Sequence, residues 1–116
     1  MDKLEIAQTI QNQLISTLGK PVIWSWGQED VKGLSAAEVK KLGIENSIGA
    51  LQFKVNAHRH DGYVIVSLNG IDTYDVFICD RTKNTIIIKE QKLGLYFDEF
   101  GKWIDEVIEK IPEYSY

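Results

Sequence analysis

Three sets of side chains have the types and spacing to do chemistry. His58-Arg59-His60-Asp61 holds both histidines of the chain, and on a strand positions 58 and 60 point to one side, as two metal ligands do. A third ligand would have to be Asp61, which the turn chemistry of Asp61-Gly62 already accounts for, so these residues are expected as exposed hairpin residues with no metal and no cofactor. Asp72, Tyr74, Asp75 and Asp80 place carboxylates along one segment. An acid–base dyad needs burial or a like-charge neighbour to separate its two pKa values, and the sequence specifies neither. The plainer reading gives Asp72 to a loop and Asp75 to the solvent face. Cys79 is the sole cysteine; an internal disulfide is excluded, and a small core residue on a strand is the expected role rather than a reactive thiolate. No serine stands in a nucleophile elbow, and Gly27-Gln28-Glu29-Asp30 lacks phosphate-loop spacing. No enzyme is expected, the alternative being catalysis or metal binding at His58/His60/Asp61 or Asp72/Asp75.

Two further groups suit binding. Trp24 and Trp26 flank Ser25, and on a strand both rings face one way, either into the core beneath a helix or outward as a recognition surface. The last part of the chain carries Asp98, Glu99, Asp105, Glu106, Glu109 and Glu113 against Lys102 and Lys110, while the first 97 residues are neutral and the whole chain is −4. Such a row is either a solvated helix face or a match for a cationic groove on a partner. Trp24, Trp26, Asp105, Glu106 and Glu109 are therefore the candidate contacts for a protein partner. No basic cluster exceeds Lys40-Lys41, so general nucleic-acid binding is not expected; weak binding survives only if Lys32, Lys40, Lys41, Lys54 and Arg59 gather on one face.

The elements that must position these residues follow from periodicity. The chain has 116 residues, 44% apolar and 26% charged, the composition of one folded domain over 1–116 and not of a disordered or disulfide-stapled chain. Residues 2–18 place Leu4, Ala7, Gln11, Leu14 and Leu18, with Ile10 and Ile15, on one helical stripe closed by Gly19 and Pro21. Pro21 to Gly27 reads as a short aromatic strand. Ser35 and Glu38 form a capping box, with Leu34 and Val39 as a hydrophobic staple, for a short helix ending at Gly43.

From Gly49 the period becomes two. A tight turn at Asp61-Gly62 pairs His60 with Tyr63 and Val55 with Leu68, and sorts Phe53, Val55, Ala57, Val64, Val66 and Leu68 onto one face. Lys54, Asn56, His58, His60, Tyr63, Ile65 and Ser67 fall on the other, wetter face. An odd-length loop after Asn69-Gly70 puts Tyr74, Val76 and Ile78 on the core side. Ile86, Ile87 and Ile88 load both faces of a strand over 84–89, which therefore reads as covered on two sides. A second amphipathic helix begins near Tyr96 with Phe100, Trp103, Ile104, Val107, Ile108 and Ile111, ends at Pro112, and leaves a frayed Tyr-Ser-Tyr tail. The sum is an α+β domain, an antiparallel sheet of four to five strands with the N- and C-terminal helices packed on one face.

Phe53 to Val55, then Val66 to Ile78 (VSLNGIDTYDVFI), then Lys89 and Leu93 to Phe100 (LGLYFDEF) resemble small uncharacterised proteins carried by phages and integrated mobile elements of bacteria. Those proteins share an LNxxDxYD strand pair, a Lys, a Gly-x-Tyr and an acidic terminal helix. The likeness covers about half the chain, is weaker from Gln28 to Ser47, and implies an accessory protein without implying a mechanism. The first twenty residues are too polar for a signal peptide, and no run approaches the ~18 apolar residues of a membrane span. A noncatalytic interaction module in the cytoplasm, bound through an edge strand, the Trp24/Trp26 surface or the acidic helix to a protein rather than to a membrane or nucleic acid, is the resulting expectation.

Overall fold

The computed structural model describes residues 3–83 and 85–109, so Asn84, Ile111, Pro112 and the Tyr-Ser-Tyr end lie outside the described residues. In chain order the elements are α1 (Lys3–Leu18), α2 (Lys20–Ser25), β1 (Glu29–Ser35), α3 (Ala36–Lys41), β2 (Ser47–Asn56), β3 (Asp61–Asn69), β4 (Tyr74–Arg81), β5 (Ile86–Leu95) and α4 (Phe100–Glu109). The strands form one antiparallel meander in sequence order. The α+β expectation holds, with five strands.

One face of the sheet, carrying Leu51, Phe53, Val55, Val64, Val66, Val76 and Ile78, packs beneath α1, α2 and α4. The buried stripe of α1 is Ile6, Ala7, Ile10 and Leu14, whereas Leu4 is exposed; the stripe is rotated toward Ile6 from its expected position. The opposite face is not left wet. Ile65, Phe77, Cys79 and Ala50 form a second apolar cluster with Leu34, Val39 and Ile44 around α3. The capping box that starts α3 is present in full: Ser35 Oγ accepts from the Glu38 N–H at 3.2 Å, and the Ser35 N–H donates to Glu38 Oε1 at 3.0 Å. Both staple residues, Leu34 and Val39, are buried.

Three expectations are corrected. Residues 20–25 are a helix and not a strand. Gly19, at φ +87°, ends α1 by donating its N–H to the Ile15 carbonyl and also caps α2, and Pro21 then sits in the first helical turn, where its missing N–H costs nothing. The hairpin turns at His58-Arg59 rather than at Asp61-Gly62, since the Ala57 N–H donates to the His60 carbonyl and Asn56 pairs with Asp61. Two bonds from the end of α4 hold the turn there: the Arg59 N–H donates to the Ile108 carbonyl at 2.8 Å and the His58 N–H to Glu109 Oε1 at 3.2 Å. Gly62 is required for space instead, because a Cβ there would stand 3.0 Å from the Cys79 carbonyl and 2.7 Å from Asp80 Oδ1.

The third correction concerns β5. It is an edge strand and not a doubly covered one, exposed along most of its length.

Candidate functional site

The residues singled out for metal binding are separated by the fold. His58 is exposed at the turn, whereas His60 is buried, with Nε2 3.0 Å from the Tyr63 carbonyl. A carbonyl only accepts, so Nε2 carries the proton. Among the described residues no group of three His, Cys, Asp or Glu is placed to hold a metal ion. Cys79 is buried in the second cluster, and burial pushes its thiol up to about 11, so it stays protonated at neutral pH.

The carboxylates of the Asp72–Asp80 segment have separate structural roles, Asp80 Oδ2 lying 3.4 Å from the Lys89 ammonium. Asn69 Oδ1 accepts from the Ile71 and Thr73 N–H groups, and its Nδ2 donates to Thr73 Oγ1 at 2.7 Å and Asp75 Oδ1 at 3.2 Å. Asp72 takes φ +63° at the third position of the loop, the left-handed residue that a three-residue hairpin needs and that Asp tolerates. The expected odd loop is thus present, and Tyr74, Val76 and Ile78 enter the core. Asp75 Oδ1 also accepts the Gly94 N–H at 3.0 Å. Gly94 has φ +72° and, with Leu93, stands opposite Asp75 as a two-for-one bulge, because Val76 pairs with Lys92 and Tyr74 with Leu95. The Tyr74 ring meets Phe100 at 4.7 Å, and burial raises its hydroxyl pKa. The LNxxDxYD and Gly-x-Tyr segments are therefore one packed unit that turns β3 into β4, seats β5 and starts α4.

The candidate protein contacts divide in two. Trp26 and Trp24, two residues apart on a helix, point to opposite sides. Trp26 is fully buried, stacked on Phe53 with ring centres 6.1 Å apart, and its indole N–H donates to Asp105 Oδ1 at 2.9 Å. Trp24 is 76% exposed. Asp105 and Glu109 thus each have a partner within the chain, Trp26 and the His58 N–H. Glu106 is exposed beside a groove shared with Arg59, Glu90 and Trp103. Arg59 lies there against α4, away from Lys40 and Lys41 on α3, so the five cations do not gather on one face.

An edge strand was among the expected binding surfaces, but the sequence did not place one at β5, whose outer edge is open. Ile87, Ile88 and Leu93 are 59%, 43% and 57% exposed, and Tyr96 and Phe97 continue the apolar run. Among the described residues no strand pairs with its outer side. The other edge strand, β1, is shorter and, like β5, bulged, with Asp30 at φ +52°. The signal was present in Lys89, Glu90 and Lys92, charges typical of an edge, following the isoleucines. A groove of about 570 Å³ lies where the start of β2 meets the β3–β4 loop, lined by Asn69, Asp75, Ile48 and Ile71, the last two exposed. No helix among the described residues is long and apolar enough to cross a membrane.

Compared with protein-family models, curated proteins and solved structures, the chain matches none.

Proposed function

We propose that this chain is a noncatalytic protein-interaction module that receives a partner along the outer edge of β5. The observation that supports this reading is a ten-residue edge strand bearing exposed Ile87, Ile88 and Leu93 and running into exposed Tyr96 and Phe97. An edge strand presents N–H and C=O groups that a partner's extended segment can satisfy, while side chains on alternate sides supply selectivity. Trp24 stands apart from this edge on α2, and two of the three helix carboxylates bond within the chain, which leaves β5 as the favoured surface. A cytoplasmic location and an accessory role in a mobile element, as the LNxxDxYD resemblance implies, belong to the same proposal.

Site-specific photo-crosslinkers placed in turn at Ile87, Leu93, Trp24 and Glu106 in expressing cells test it. Adducts are expected from Ile87 and Leu93 and are lost when Gln91→Pro disrupts the edge. Adducts confined to Trp24 or Glu106 would reject the β5 reading.

A further inference from the structure

The spacing of side chains along β5 narrows the partner. Cys79 pairs with Ile88 and Ile78 with Glu90, so Lys89 is an extra residue without a backbone partner in β4, its ammonium 3.4 Å from Asp80 Oδ2. The bulge resets the alternation. Ile86, Ile88 and Gln91 pair with Arg81, Cys79 and Phe77 on the α3 face, and Leu93 joins them opposite Asp75. Ile87, Glu90 and Lys92 pair with Asp80, Ile78 and Val76 on the face of the terminal helices. Residues on the α3 face are therefore spaced two, three and two apart, a pattern that reads the same in both directions.

A regular strand crosses this bulge only by setting one residue opposite two, as β4 does. A second β5, run antiparallel, matches throughout. With the two-fold axis between Lys89 and Glu90, Ile86 meets Leu93, Ile88 meets Gln91 and Ile87 meets Lys92, each pair on a common face. Lys89 of each copy, already beside its own Asp80, then meets Glu90 of the other in two symmetric contacts of opposite charge.

The geometry points to a second copy of this chain as the occupant of the β5 edge, giving a two-fold dimer with a continuous ten-stranded sheet. This inference rests on the reading of β5 as the interaction surface.

Sedimentation velocity on the whole chain tests it. Wild type is expected to pass from monomer to dimer between about 10 and 500 µM, the range of a small reversible interface. Lys89→Glu or Glu90→Lys each sets like charges face to face twice per dimer and is expected to weaken association about tenfold or more. The double variant K89E/E90K restores the pairs with their signs exchanged and is expected to recover most of the affinity, with circular dichroism checking that each variant is folded. Two single variants that weaken and a double that does not recover would overturn the register, and a wild-type monomer throughout would overturn the dimer. Amide exchange then separates the two proposals. In a monomer, fast exchange of the outward β5 amides leaves the edge open to another protein and refutes only self-pairing, whereas protected amides refute the β5 surface as well.

Discussion

Trp26 and Trp24 sit two residues apart and are expected to differ in stability effect by most of the energy of a core side chain. Trp26→Ala removes a fully buried indole, its parallel stack on Phe53 and its bond to Asp105. Truncating a buried Trp costs about 3–5 kcal/mol. Asp105 adds little further penalty, because it is only partly buried and water can replace the lost N–H. Trp26→Phe keeps most of the ring and loses the donor, so about 1.5–2 kcal/mol is expected, the range of a hydrogen bond to a charged group. Trp24→Ala should fall within about 0.5 kcal/mol of wild type, as for other exposed positions. Urea unfolding followed by far-UV circular dichroism suits the comparison, since the signal does not depend on the residue replaced. At an m-value near 1.5 kcal/mol/M, a loss of about 4 kcal/mol moves the midpoint by about 2.5 M. Equal and small shifts for Trp26→Ala and Trp24→Ala would refute the assignment of Trp26 to the core and, with it, the seating of α2 against α4.

Three other measurements probe separate parts of the fold. The Ser35 N–H, followed by the Lys3 ammonium, holds the Glu38 carboxyl down at about 2 from its ordinary 4.5. A lowered carboxylate pKa stabilises the fold above the unfolded value and loses that contribution as pH falls toward the folded one, so the α3 region should weaken between about pH 4.5 and 2; an NMR titration of Glu38 with a midpoint near 4.5 would contradict the capping box. Cys79 should resist thiol reagents in the folded chain at pH 8 and react fully in urea, and rapid native labelling would place it outside the second cluster. Asn69→Ala removes four hydrogen bonds at the β3–β4 loop and is expected to lower stability by about 2–3 kcal/mol by thermal unfolding.

What the sequence made legible was local or even-numbered. Leu34, Ser35, Glu38 and Val39 mark a helix start whose partners lie within five residues, and all four behave as their spacing predicts. The hairpin turn moved by three residues, yet Phe53, Val55, Val64 and Val66 kept the expected face. Shifting a turn centre by three changes every cross-strand partner by six, and an even slip preserves the side on which each residue stands. The missed features are settled by distant partners. Residues 20–25 look like a strand because Val22, Ile23 and two tryptophans favour one locally, but burial of Ile23 and Trp26 against the sheet and α4 selects the helix. Ile86 to Ile88 suggest two covered faces, but nothing in their spacing says whether another strand lies beyond them, and in the meander β1 pairs with β2 at the far rim, which leaves β5 at the other. The candidate site was legible in type and not in place: Trp26, read as either core or surface, is core, and Asp105 and Glu109 bond to Trp26 and the His58 N–H.

The bond between Trp26 and Asp105 joins residues 79 apart in sequence. During synthesis, the oily underside of the growing sheet has no lid from α4 until residue 105 has cleared the ribosome, so docking of α4 follows synthesis of every strand. A chain stalled earlier would present that underside to chaperones, and the interval before α4 docks is when this protein is most exposed to aggregation.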